Sequence, residues 1–335
     1  TQWMEGAAVG NVQLLRTLIS SRVDIDSRNE GLGLTSLMVA ASEGQQETVN
    51  FLIESKASLD ATSTEGWSAL MFACGAGHLH VVKTLTAAGV DVNQTGKASR
   101  SALMVAAANG NAEIVGVLIE RKANANLRTS GHKMTALMLA VERPRASSEI
   151  ARLLVENGGA DVNARNCIGD TALIISIAMM SYESSLYLIR SAKAKVAYRG
   201  RDHSFLMLAA MYGHSQTAAF LISRKADVHL FNSYGQTALT LASMAGHVGI
   251  VSLLLREKAY VDVADLEEAT PLTHAVQRGH AAVAQALIKT GRANVNISRG
   301  LQSPPLVHAV YWNHESLVKI LLESKADVNI EGSFG

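Results

Sequence analysis

The sequence predicts an all-α protein built as a solenoid of tandem repeats, and the spacing of its leucines is the main reason. A period in the range of 20–50 residues over a whole chain is typical of architectures in which each unit packs against its neighbours. Here leucines in the same local context recur every 33 to 36 residues. They are Leu37, Leu70, Leu103, Leu137, Leu173, Leu206, Leu239, Leu272 and Leu306. Helix-boundary signals and a repeated polar turn favour the same fold class.

The unit that begins at Gly235 shows how one repeat predicts two helices. Thr237 is a good N-cap, and Leu239 and Ala242 then lie on one face of the first helix. Gly246 can end that helix in the left-handed conformation. A second helix is predicted to follow, with one apolar face. The residues of that face are Ile250, Val251, Leu254 and Leu255.

A polar connection follows each second helix. It carries the tripeptide Asp-Val-Asn, which we interpret as a short β-like segment, and a Gly that closes a hairpin at Gly66, Gly169 and Gly235. Short β-hairpin connections between the helix pairs are therefore predicted. The tripeptide stands at Asp91-Val92-Asn93, Asp161-Val162-Asn163 and Asp327-Val328-Asn329.

Helix, Gly-His, helix, Ala-Asp-Val-Asn and Gly-x-Thr-Ala-Leu together resemble the ankyrin repeat, and the resemblance covers essentially all 335 residues. It implies a curved stack of antiparallel helix pairs, with the first helices and the hairpins on the concave side. We predict one ankyrin-repeat domain over 1–335. Its ten repeats are 1–32, 33–65, 66–98, 99–131, 132–167, 168–201, 202–233, 234–266, 267–299 and 300–335. Gly335 stands where a further repeat would begin, so we expect a segment of a longer protein.

Composition excludes several classes of function. Thirty Lys and Arg against 29 Asp and Glu give a net charge of +1, which argues against a nucleic-acid surface. The longest apolar run falls far short of the ~20 residues that span a bilayer, so no membrane insertion is expected. Cys74 and Cys167 lie three repeats apart, too far for a disulfide, which favours a reducing compartment. We therefore predict a cytoplasmic protein, with cytoskeletal association as an open alternative.

No sequence motif predicts catalysis, a cofactor or a metal site. Histidines recur, but one per repeat places them on the order of 10 Å apart, while zinc ligands lie ~2 Å from the metal. We expect these histidines to tie the turn between two helices to backbone groups. They are His78, His214, His247, His280 and His314. Methionines at one position of the first helices are interpreted as core: Met38, Met71, Met104, Met138 and Met207.

The candidate binding residues occupy the two positions before the Gly that ends the first helix. The ankyrin resemblance implies that these positions face the concave groove. Early repeats have small or polar residues there, such as Ser42-Glu43 and Ala108-Asn109. Later repeats carry the large residue types that form binding hot spots. The alternative is packing against the neighbouring hairpin. The six residues, called here the late-repeat patch, are Met211, Tyr212, Met244, Arg278, Tyr311 and Trp312.

A second candidate is a basic cluster in repeats five to seven. We interpret it either as a solvated edge or as a dock for an acidic or phosphorylated partner. Its residues are Arg143, Arg145, Lys193, Lys195, Arg199 and Arg201.

The function that the sequence favours is a non-catalytic scaffold that binds another protein or peptide in the concave groove. Two alternatives stay open. One is a structural component of a large cytoskeletal or ciliary assembly, and the other is the regulatory arm of an enzyme or channel outside this segment.

Overall fold

The computed structural model describes residues 2–142, 148–190, 192, 203–290, 293–299 and 302–330. It shows the predicted all-helical repeat architecture, in which pairs of short helices alternate with turns. The helices fall into two compact units, 1–194 and 195–335.

The first unit contains helix pairs numbered α1 to α12 in chain order. A 3₁₀ turn at Lys97–Ser99 precedes α7, and a π-helical segment, Leu153–Asn157, continues α10. The helices are Gln2–Ala8, Val12–Ser20, Ser36–Ser42, Gln46–Glu54, Ala69–Ala76, Leu79–Ala87, Ala102–Asn109, Ala112–Glu120, Ala136–Val141, Ser148–Arg152, Ala172–Ala178 and Tyr182–Arg190.

The second unit continues the numbering from α13 to α20. The helices are Phe205–Met211, Ser215–Ser223, Ala238–Ala245, Val248–Arg256, Pro271–Gln277, Ala281–Lys289, Pro305–Tyr311 and Glu315–Glu323. Within this unit, each first helix packs against the second helix of its own pair, and α13, α15 and α17 also pack against the first helix of the next pair. No helix among the described residues is long and apolar enough to cross a membrane.

Hydroxyl N-caps begin most first helices, as the sequence predicts. The Thr237 hydroxyl accepts a hydrogen bond from the Thr240 amide at 3.2 Å, which satisfies one of the backbone donors left open at a helix start. Further on, Pro304 takes the cap position and Pro305 begins α19, where proline needs no amide hydrogen.

The core of each unit lies between the first and second helices. The recurring leucines are buried, and each methionine predicted as core is only 1% exposed. The interpretation of these methionines as packing residues is confirmed. Cys74 is also buried, while Cys167 is exposed, and both are free thiols. Burial raises the pKa of the Cys74 thiol.

The prediction of a β-like Asp-Val-Asn segment is wrong. These residues form a turn, in which the Asp91 carboxylate accepts from the Asn93 amide at 2.9 Å. Asp side chains favour such local bonds over strand pairing. Isolated antiparallel bridges instead lie nearer the next helix, and those that the structure describes are Thr62–Ser68, Thr95–Ser101, Phe231–Thr237 and Arg299–Gln302.

The recurring histidines connect neighbouring repeats through the backbone. His78 Nε2 donates to the Ser42 carbonyl at 2.9 Å, and His280 Nε2 donates to the Met244 carbonyl at 3.1 Å. These carbonyls lie at the ends of first helices, where intrahelical partners run out. His214 differs, because its Nδ1 lies 2.6 Å from the Thr217 hydroxyl. The expected bonds to the backbone are confirmed for the other four histidines, and each of these four bonds crosses between repeats.

Candidate partner-binding site

The late-repeat patch lies entirely in the second unit, at the ends of its four first helices. α13, α15, α17 and α19 pack in that order, each against the next. Consecutive packing places the ends of these four helices in a row. The sequence therefore brings patch residues from four repeats along one edge of this unit.

The patch residues differ in exposure. Tyr311 is 71% exposed, Trp312 54% and Tyr212 38%. Arg278 is exposed, but Met211 and Met244 are half-buried. The aromatic and charged members therefore offer accessible surface, whereas the two methionines divide their surface between solvent and packing.

Tyr311 and Trp312 form an aromatic pair at the edge of a depression. Their ring centroids are 5.1 Å apart with an interplanar angle of 89°, an edge-to-face arrangement that aromatic pairs prefer. The depression has a volume of about 490 Å³ and joins the predicted ninth and tenth repeats. Its walls are Gln277, Arg278, Ser303, Val307, His308, Tyr311 and Trp312. Three of the six patch residues thus meet in one concavity.

A hydrogen-bond chain connects Arg278 to the buried pair of His274 and Asp265. Asp265 Oδ2 lies 2.6 Å from His274 Nε2, and both side chains are almost fully buried. His274 Nδ1 lies 3.4 Å from Arg278 Nη1. A guanidinium can only donate, so Nδ1 is the acceptor and Nε2 carries the hydrogen donated to Asp265. The chain therefore runs from the buried side chain of Asp265 through the imidazole of His274 to the guanidinium in the depression.

Asp265 is fixed by its own turn. Its Oδ1 accepts from the amides of Glu267 and Ala269, each at 3.0 Å. Asn232 makes the same pair of bonds one repeat earlier, to Tyr234 and Gln236. The turn thus needs a side-chain oxygen at this position, and the second carboxylate oxygen of Asp265 is what reaches His274.

A second polar group lines the depression. Gln277 Nε2 lies 3.2 Å from Gln302 Oε1 and 3.4 Å from His308 Nε2. Burial lowers the pKa of His308, which favours its neutral form. Arg278 is consequently the one permanently charged side chain among the walls, and no wall residue is acidic.

Sequence reasoning missed His274 and His308. They stand two residues after the recurring leucine, where the preceding repeats have Val, Phe, Leu or Ile. A comparison of that position would have found them. Tyr234 and Leu266 were also missed. They are 61% and 74% exposed on neighbouring connections, where the Leu266 amide donates to the Tyr234 carbonyl at 2.9 Å.

The basic cluster lies outside the described residues. Its members are Arg143, Arg145, Lys193, Lys195, Arg199 and Arg201. Within the described ranges, no group of three or more His, Cys, Asp or Glu side chains could hold a metal ion.

Comparison with known proteins identifies the family. A family model described as ankyrin repeats (three copies) matches residues 3–96, 85–166, 103–199, 186–265 and 257–331, which together cover nearly the whole chain. No individual curated protein matches significantly. Because the family matches extend from residue 3 to residue 331, the chain belongs to the ankyrin-repeat family.

Proposed function

We propose that the chain is a non-catalytic scaffold that binds a protein or peptide along the late-repeat patch. Ankyrin repeats suggest a protein–protein interaction scaffold, which sets the class of function. The observation that carries the finer proposal is the exposed aromatic pair of Tyr311 and Trp312 beside Arg278. Aromatic residues and Arg dominate the binding energy of protein interfaces.

The patch suits an extended partner. It spans four helix layers, so its length is roughly 30 Å at ~10 Å per packed layer. A helix of about 20 residues, at a rise of 1.5 Å each, has that length. The half-buried Met211 and Met244 add adaptable apolar surface beside the aromatic rings.

A selection experiment tests this site. A random peptide library is displayed on phage and selected in parallel on the whole chain and on the double variant Tyr311→Ala, Trp312→Asn. Ala108 and Asn109 stand at the equivalent positions of the predicted fourth repeat. The variant therefore copies a natural pair, and the helix should still form. We expect peptides enriched on the natural chain to lose binding to the double variant.

A matched variant, Ser42→Ala with Glu43→Ala, changes the equivalent positions of an early repeat and should leave binding intact. Peptides that bind the aromatic double variant as tightly as the natural chain would place the site elsewhere.

A further inference from the structure

We infer that Arg278 is a receptor for a carboxylate side chain on the partner, and that Asp265 and His274 are the residues that position it. This inference rests on the proposed binding function of the late-repeat patch, and it specifies the chemistry of the partner. The partner we propose is a peptide segment in which an Asp or Glu is flanked by an apolar residue.

The guanidinium of Arg278 is oriented by a neighbouring side chain. Its Nη1 donates to His274 Nδ1, which leaves the other guanidinium hydrogens for a partner. Holding one edge of a long side chain reduces the conformational entropy that binding would otherwise cost. His274 is itself fixed by Asp265 at 2.6 Å, within a buried pair.

The positive charge of Arg278 has no acidic partner among the described residues. Arg278 is exposed in the depression, and no described carboxylate lies within salt-bridge distance of it. The charge of Asp265 is separated from the guanidinium by the imidazole of His274. A carboxylate would meet a donor fork of matching geometry, which is the planar recognition for which Arg is suited.

The walls of the depression suit a carboxylate better than a phosphate. Phosphate recognition commonly uses clusters of Arg, whereas the depression has one Arg and a neutral-favouring histidine, His308. The remaining walls include Val307 and the rings of Tyr311 and Trp312, which suit an apolar neighbour of the acid. One monoanion beside an apolar side chain fits these walls best.

The chain offers a matched way to remove the positioning residues. The preceding repeat has Asn232 where Asp265 stands and Leu241 where His274 stands, and both are buried there. The variant Asp265→Asn, His274→Leu therefore copies a pair that already folds in this unit. It keeps Arg278 and the turn bonds but removes the acceptor that orients the guanidinium.

The test uses a peptide selected on the natural chain and the same peptide with its acid replaced by the corresponding amide. We expect Arg278→Ala to weaken the acidic peptide about 10-fold or more and the amide peptide less than about 2-fold. The variant Asp265→Asn, His274→Leu should weaken binding of the acidic peptide several-fold, again with little effect on binding of the amide peptide. Calorimetric titration gives two affinities, one for the acidic and one for the amide peptide, for the natural chain and for each of the two variants.

The outcomes separate this inference from the proposed function. Peptides that depend on Tyr311 and Trp312 but bind equally as acid and amide would overturn the carboxylate assignment alone. Peptides whose affinity does not change when Tyr311 and Trp312 are replaced would overturn the proposed site itself. A phosphoserine in place of the acid that binds ten-fold more tightly would also contradict the carboxylate assignment. If the variant Asp265→Asn, His274→Leu does not fold, the affinities of Arg278→Ala for the two peptides still test whether Arg278 binds a carboxylate.

Discussion

Trp312→Ala is expected to weaken binding of a patch ligand by about 2 kcal/mol, or roughly 30-fold. In the unbound chain, the Trp312 side chain is 54% exposed and is paired edge-to-face with Tyr311. A partner that covers the depression would bury the indole, and truncation would remove that contact area. The same exposure means that the melting temperature should change little, which circular dichroism can measure beside the affinity.

The control for this prediction is Glu43→Ala, at the equivalent position of an early repeat. Glu43 is exposed like Trp312, so the control matches the site in both position and exposure. Normal affinity in the tryptophan variant would show that Trp312 is not part of the interface. A large fall in its melting temperature would show that the side chain is a packing residue.

Gly44→Ala should destabilise the first unit by about 2 kcal/mol. Gly44 has φ +70°, and a Cβ there would lie 2.6 Å from His78 Nδ1. An L-residue in this conformation costs ~1 kcal/mol or more. Displacing the imidazole would also lose its bond to the Ser42 carbonyl, worth ~1 kcal/mol. Urea denaturation followed by circular dichroism measures the change in free energy of unfolding.

The opposite result is expected for Gly116→Ala in the same unit. Gly116 lies within the helix Ala112–Glu120 and has no atom within 4 Å of an added Cβ. Alanine favours a helix interior over glycine by ~0.8–1.0 kcal/mol, so this variant should be more stable. Equal effects of the two substitutions would contradict the role assigned to the Gly44–His78 contact.

The helices were predictable because their determinants are local and repeated. The Thr237 cap, the buried Leu239 and the left-handed Gly246 can each be read from neighbours within one turn of helix. The Asp-Val-Asn segment was mispredicted because Val favours strands, while the flanking side chains bond to the backbone and impose a turn. Competition between strand propensity and local side-chain bonds of this kind decides the conformation of short connections between helices.

The candidate site was predictable only in part. Size and chemistry identified Tyr311, Trp312 and Arg278 as departures from the repeat pattern. The support of Arg278 by His274 and Asp265 depends on bonds between side chains of a helix and of the preceding turn. Such bonds require side-chain directions, which spacing alone does not give.

Amide hydrogen exchange of the whole chain, with and without a selected peptide, tests the location of the binding site most directly. We expect slower exchange on binding at the ends of the first helices α13, α15, α17 and α19, which carry the late-repeat patch. Slower exchange confined to the early first helices Ser36–Ser42, Ala69–Ala76 and Ala102–Asn109 would contradict the proposed site.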